Sequence, residues 1–585
     1  MHLHKAVPVI LGALAPLAPC WPSRDRWNAL NSSIDGNLVA VRPLAYVCKD
    51  PTFDPASCDV ALAKANNSVW RASSPGAVQW TNWEAWPERN QTCYFDTPRS
   101  IPCGQGRISL FSAIVEKAEH IQAAVRFAAE HKLRLAIKSS GHCFLGRSTA
   151  PDSLQISTNR LKGIQFVDEF RPDGAPDSAS SDGTAVTIGS GVSLQELYSA
   201  VAKKGLAVVA GLSHTVGAAG GYIQGGGHSP LSNWKGMASD NALQFTVVTA
   251  QGRLVKANRH QHQDLFWALR GGGGGTFGVV VDVTVRTYPD VPVSLADFGF
   301  AVPKGNASAY WDMTRDFHAH LATVSGAGGC GYYTASTRPK VQNGTEVMVL
   351  SGYFFFPNET SEARVRTAMD PLLQAMARHA LPDSMFQVTP IPRFSQFLAG
   401  ELKDGFDPTG GTLLLGSRLV SREFLDKHDG PARLSHAMQS VSDAFGSVGF
   451  TGHVVAGGAV ADSRVDSALN PAWRRTLSHV AWGVDWNSTT SIAEQKAIRE
   501  RLTDAVARLR DLEPDMGAYL NEANAYEQDF QRSFWGANYK RLYAIKQKLD
   551  PRGLFIVRSG VGSEDWDDAG LCRVDKGSDH SLWTQ

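Results

Sequence analysis

The sequence predicts an α+β chain of two domains preceded by a loop-rich extension. Three observations carry this. A chain of 585 residues, 43% hydrophobic and 19% charged, exceeds what one typical core organises. Up to about Pro289, short strand-like runs alternate with amphipathic helices in the manner of a mixed domain. From Val291 the pattern changes to longer apolar runs and longer helices. A formal net charge of +1 without Lys/Arg runs excludes the electrostatic footprint of a nucleic-acid binder.

The elements follow in chain order. Met1–Lys5 is short and basic, and Ala6–Pro19 is almost wholly apolar, so residues 1–20 read as a secretory signal peptide. No later apolar run reaches the roughly 18 residues that a membrane span needs. Residues 21–110 are irregular and rich in Pro, Asn and Trp. Cys48 and Cys58 are ten apart there, as are Cys93 and Cys103, and each pair brackets a loop that a disulfide could close, although spacing alone does not fix connectivity. Seven Asn-x-Ser/Thr triplets, at Asn31, Asn66, Asn90, Asn306, Asn343, Asn358 and Asn487, agree with a secreted, N-glycosylated protein.

Residues 111–290 form the expected first domain. Ala118–Lys132 has helical spacing and ends on a basic turn, and a strand over LRLAIKS follows. Val192–Gly205 predicts a second helix with Ser193 as N-cap, and AVVAGL a strand after it. Leu243–Ala257 alternates about Gln251-Gly252 as a hairpin. In residues 291–505, Glu346–Phe356 reads as a strand and Ser361–His379 as a helix. In residues 506–585, the stretch Tyr519–Trp566 is again dense in Gly, Asn and aromatics.

Three glycine-dense segments dominate the first domain: IKSSGHCFLGRS (Ile137–Ser148), TVGAAGGYIQGGGHS (Thr215–Ser229) and DLFWALRGGGGGTFGVV (Asp264–Val280). One such loop is an ordinary tight turn. Three, each abutting a strand, suggest a surface fitted to a long, phosphate-bearing ligand, because Gly and Ser let the backbone approach an anion. Neither a P-loop nor a Rossmann glycine motif is present.

These segments, together with NYKRLYAIKQKLDPRGLF near the end and CWPS near the start, resemble the fungal berberine bridge enzyme-like oxidases of the vanillyl-alcohol oxidase / p-cresol methylhydroxylase (PCMH) superfamily. The resemblance spans nearly the whole chain. It implies a PCMH-type, two-subdomain FAD-binding domain, an antiparallel-sheet substrate domain, and a carboxy-terminal segment returning to the flavin. It implies FAD attached covalently through His142. Lys138, Ser139, Ser140, Gly141 and Cys143 are expected to cradle the pyrophosphate by backbone contacts, and Gly217, Gly220 and Gly221 to lie along the flavin. Val280 is expected at the adenine side, and Asn538 and Tyr539 at the isoalloxazine. Relatives with a second flavin bond carry cysteine where this chain has Ser213, which implies a singly attached flavin. Glu522 stands where a catalytic tyrosine is common, so Glu522 is the expected base and Tyr519 the alternate. Small-molecule substrate and O2 are the expected partners, with no metal, nucleic acid or membrane, and the chain is expected to be a monomer. A secondary-metabolite oxidase, a secreted alcohol or carbohydrate oxidase, and a non-redox cyclase using flavin as a platform all fit the sequence.

Overall fold

The computed structural model describes residues 21–574 except 343, 383, 404, 406, 568 and 569. The leader and the triplet at Asn343 lie outside the described residues. The extension is more ordered than its composition suggests. Helices Arg24–Ser33, Pro55–Lys64 and Ser68–Ser73 are capped by Ser23, Asp54 and Asn67, each side-chain oxygen accepting an otherwise orphan backbone N–H. Disulfides Cys48–Cys58 and Cys93–Cys103 close the two expected loops. Trp27 stacks on Phe111 with ring centroids 4.2 Å apart, and strand Leu38–Ala40 pairs with Phe111–Ile114. Strand pairing and the buried indoles of Trp27, Trp80 and Trp83 thus join the extension to the first domain.

The first domain holds two main sheets and a two-stranded pair, Leu206–Ala207 with Tyr288–Pro289. In the smaller one, Phe111–Ile114 and Arg134–Lys138 run parallel to Ser153–Ser157, with helix Ala118–Glu130 as the crossover. The second is a five-stranded antiparallel sheet in the order Ile164–Val167, Ala185–Gly189, Val279–Arg286, Ala242–Val248, Leu254–Asn258. Its last two strands are the expected hairpin, with Gly252 at φ +67° in the turn. Ser193 caps helix Leu194–Lys203 in a reciprocal box with Glu196. The strand expected over AVVAGL shrinks to Leu206–Ala207. The chain beyond it, at Gly211, Leu212 and Ser213, lines a cavity instead of pairing.

The second domain is a seven-stranded antiparallel sheet in the order Met385–Ile391, Val293–Pro303, Thr345–Pro357, Cys330–Gln342, Phe450–Val454, Thr476–Val484, Leu414–Ser421. One face is apolar and covered by helices. Phe298, for example, packs on Phe354 and on Phe317 of helix Ala307–Gly326. Alternation along a strand sends the neighbouring side chains to the opposite face, which looks onto the first domain. Helix Ile492–Arg510 spans the boundary expected at 505/506, so the tail proper begins after Arg510.

Between the sheet and the tail, Arg418 and Glu527 form an ion pair of 2.5 Å with side-chain exposures of 3% and 1%, and Ser533 Oγ donates to the same carboxylate at 2.8 Å. Deleting one member strands a buried charge. Glu527→Ala should therefore lower folding stability by about 3–5 kcal/mol, read from denaturant midpoints. A variant as stable as the parent would contradict the pairing.

Candidate active site

A cavity of about 490 Å³ lies where the two domains and the tail meet. Its first wall is built by the glycine-dense segments. Gly141, at φ +81°, turns the chain after strand Arg134–Lys138 and presents His142 and Cys143. Gly217 packs so closely that a Cβ there would stand 2.2 Å from Ser139 Oγ. Ser139, Ser140, Gly220, Gly221 and Val280 also line this wall. Ser190 Oγ and Gln224 Oε1 are buried on it without a hydrogen-bond partner among the described residues. Orphaned polar atoms beside side-chain-free backbone are what a cavity for a polar, phosphate-bearing group requires, so the wall fits FAD.

His142 is held from across the domain boundary. Its Nε2 lies 2.6 Å from Thr215 Oγ1 and 3.4 Å from Asp407 Oδ2, leaving Nδ1 as the ring nitrogen without these partners. Asp407 collects the whole neighbourhood: Thr215 Oγ1 and N donate to one oxygen at 2.5 and 2.9 Å, and Ser213 Oγ and His214 N to the other at 2.8 and 3.1 Å. Burial pushes the Asp407 carboxyl up, but His142 and these donors outweigh it and leave it below the usual carboxylate range. Burial drives His142 down to about 4 despite Asp407, so the imidazole is neutral with a lone pair at physiological pH.

The loop carrying His142 is also gripped by the extension. Gln79 Nε2 donates to Ser140 O, and Trp83 Nε1 to Phe144 O, at 2.9 and 3.0 Å. Lys138 does not line the cavity. Its buried Nζ donates to Arg71 O and Ser74 O at 2.9 and 2.6 Å, and burial, helped by Arg71, lowers it to about 7.

The opposite wall is polar. Strand register sets Tyr332, His453 and His479 directly across from one another on three neighbouring strands. The tail adds Tyr519, Leu520, Asn521 and Glu522, folded as a short 3-10 turn after Tyr519. His228 Nε2 lies 2.9 Å from Glu522 Oε1, and His228 Nδ1 3.2 Å from the Tyr332 hydroxyl. Burial alone would raise the Glu522 carboxyl, but His228 and the adjoining His453 outweigh it and hold it below its ordinary value. Tyr519 differs: burial, reinforced by Glu522, pushes its phenol far up, and its oxygen receives Gly227 N–H and Asn521 Nδ2 at 3.2 and 2.8 Å.

The structure therefore gathers His142, Ser139–Cys143, Ser213, Gly217, Gly220, Gly221, Val280, Tyr519 and Glu522 around one cavity. Asn538 and Tyr539 lie elsewhere. Asn538 Nδ2 donates to Ser467 O and Leu469 O, and the Tyr539 hydroxyl to Glu564 while accepting from Gly562 N. The Asn538 amide nitrogen and the Tyr539 hydroxyl thus anchor the tail. Sequence reasoning missed Asp407, His228, His453, His479 and Tyr332, which sit far apart in the chain. Only strand alternation and the GGGHS string hint at them.

Comparison with known proteins agrees with this geometry. The family "FAD binding domain" matches residues 110–258 and the family "Berberine and berberine like" residues 518–562, which hold two of the glycine-dense segments of the first wall and the returning tail. An FAD-linked oxidoreductase of Arthroderma benhamiae is 48% identical over 567 residues, covering 96% of this chain and 95% of its own. The chain belongs to the berberine bridge enzyme-like FAD-linked oxidoreductases. FAD-linked oxidoreductase malF of Malbranchea aurantiaca is another member, 39% identical with 96% and 94% coverage. Among solved structures, the VAO-type flavoprotein MtVAO615 from Myceliophthora thermophila C1 superposes with a TM-score of 0.83 at 30% identity, covering 96% of this chain and 99% of that one. Berberine bridge enzyme from Eschscholzia californica shares the fold at a TM-score of 0.63 and 16% identity, with 92% and 99% coverage. The protein is thus an FAD-dependent oxidoreductase of PCMH-type architecture with a sheet-built substrate domain.

Proposed function

We propose that this berberine bridge enzyme-like protein is a secreted, N-glycosylated oxidase that removes hydride from a small organic substrate, with FAD bonded to His142. Bound FAD supplies the hydride acceptor, and O2 restores it. The observation that supports the reading best is the pairing across one cavity of a neutral, Asp407-held histidine with an ionised, His228-bound Glu522. Glu522 takes the proton from a substrate hydroxyl or amine as the adjacent C–H is broken. His228 orients the carboxylate, and Tyr332 fixes the His228 ring by occupying Nδ1. The apolar share of the lining, with Phe144, Leu415 and Trp482, keeps water away from the reacting atoms.

Export is supported by the leader-like start, the two disulfides and the exposure of Asn66, Asn90, Asn306, Asn358 and Asn487. No helix among the described residues is long and apolar enough to cross a membrane. A screen of alcohols, amines and alkaloid-like heterocycles for peroxide release under air tests the function. Flavin that stays oxidised with every class while remaining bound would favour the cyclase reading.

Ser213 bears on the mode of attachment. It lines the cavity and donates to Asp407 at 2.8 Å, but a hydroxyl cannot form the thioether that cysteine would. The tryptic peptide spanning Gly205–Lys235 should have its unmodified mass, and the peptide carrying His142 should be heavier by one flavin. A flavin adduct on the Ser213 peptide would refute single attachment.

A further inference from the structure

The wall around Glu522 carries more donor atoms than one proton acceptor needs. His453 Nδ1 and His479 Nδ1 face each other at 2.9 Å, and both approach Glu522 Oε2, at 3.4 and 3.6 Å. His228 Nε2 stands 2.9 Å from the other carboxylate oxygen. Each of His228, His453 and Glu522 offers a donor atom within 4.8 Å of the others. Neighbouring ligands of a tetrahedral zinc with bonds of about 2.0–2.1 Å are roughly 3.3 Å apart, so the contacts of 2.9, 3.4 and 3.6 Å to the Glu522 oxygens bracket ligand spacing, and small side-chain movements would close the cluster on an ion. Protons can bridge such atoms only two at a time, whereas one cation serves all of them at once.

The surroundings are also those of a built site. The His228 ring is fixed by Tyr332 on its far nitrogen, an arrangement that holds a metal-ligating imidazole in register. His453 and His479 are set by strand pairing and buried. Two imidazoles and one carboxylate, with a cavity on the remaining side, make a donor set with an open position.

We propose that His228, His453 and Glu522, backed by His479, bind one divalent transition-metal ion of the zinc class at the substrate face of the cavity. The ion takes the lone pairs through which Glu522 would accept a proton, so metal and proton acceptance compete. That consequence rests on the role given to Glu522 above, while the binding itself does not.

The test uses the flavin-loaded enzyme, stripped with chelator, dialysed against Zn2+ and passed through a desalting column before its metal is counted. Wild type should retain about one zinc per chain, and His453→Asn and Glu522→Gln less than about a tenth of that. Both variants must keep their flavin and wild-type melting temperature, and if one misfolds the other still decides. Cu2+ as a second probe should show nitrogen splitting in its electron paramagnetic resonance spectrum that His453→Asn reduces. Zn2+ should slow flavin reduction by on the order of tenfold or more, and chelator should restore it. No retained zinc in wild type, or as much zinc in the variants as in wild type, overturns the site. A rate that rises with zinc overturns the competition. Peroxide release by the stripped enzyme reports on the oxidase reading independently.

Discussion

Glu522→Gln should slow reduction of the flavin by substrate by about 10²-fold to 10⁴-fold, the usual worth of a positioned general base, while flavin content stays at the wild-type level. The amide keeps the size of the side chain and an oxygen for the contact with His228 Nε2 at 2.9 Å, so what is lost is proton acceptance. Two groups compete for the role, and their surroundings separate them. Glu522 is ionised because His228 and its neighbours overcome the cost of burial. Tyr519 would have to ionise a phenol that burial and the nearby carboxylate both oppose. Tyr519→Phe should accordingly cost much less than Glu522→Gln, through loosening of the Gly227 and Asn521 contacts. Stopped-flow reduction of the two variants decides, and a Glu522→Gln rate within a few-fold of wild type would make Glu522 structural.

The second large effect is expected at His142. Acid denaturation of the wild type should leave the yellow chromophore with the precipitated chain. His142→Ala should send all remaining flavin into the supernatant or fail to load it. Asp407→Asn should leave an intermediate, partly attached population, because the neutral amide no longer pairs with the imidazole, which Asp407 Oδ2 approaches to 3.4 Å. Free flavin in the acid supernatant of wild type would end the covalent reading.

Much of the first wall was legible in the sequence, because its signals are local. A glycine-dense loop after a strand, with a histidine at its turn, is one contiguous string, and the capping of helix Leu194–Lys203 by Ser193 is readable within four residues. The second wall was not. Tyr332, His453 and His479 meet only because three strands align, and no short window records register. Asp407 is a single acidic residue in a loop, meaningful only against Thr215. Asn538 and Tyr539 show the reverse case. Their string resembles the family, yet their side chains bond to Leu469 O and Glu564. The order of the extension was hidden because its stability comes from caps, disulfides and the buried tryptophans Trp27, Trp80 and Trp83 and not from a periodic apolar face.

The grip of Asp407 on the His142 loop has a consequence for modularity. The flavin-binding sequence match ends at residue 258, and a fragment cut at residue 290 would keep His142 and all three glycine segments. It would lack the carboxylate that holds the imidazole, the tyrosine and histidine row facing it, and the returning turn at Glu522. Half of the cavity would become open solvent, and Thr215 and Ser213 would turn to water for their bonds. The cofactor domain of this chain is therefore not a transplantable part, and chimeras that exchange substrate domains must bring a residue equivalent to Asp407 with them.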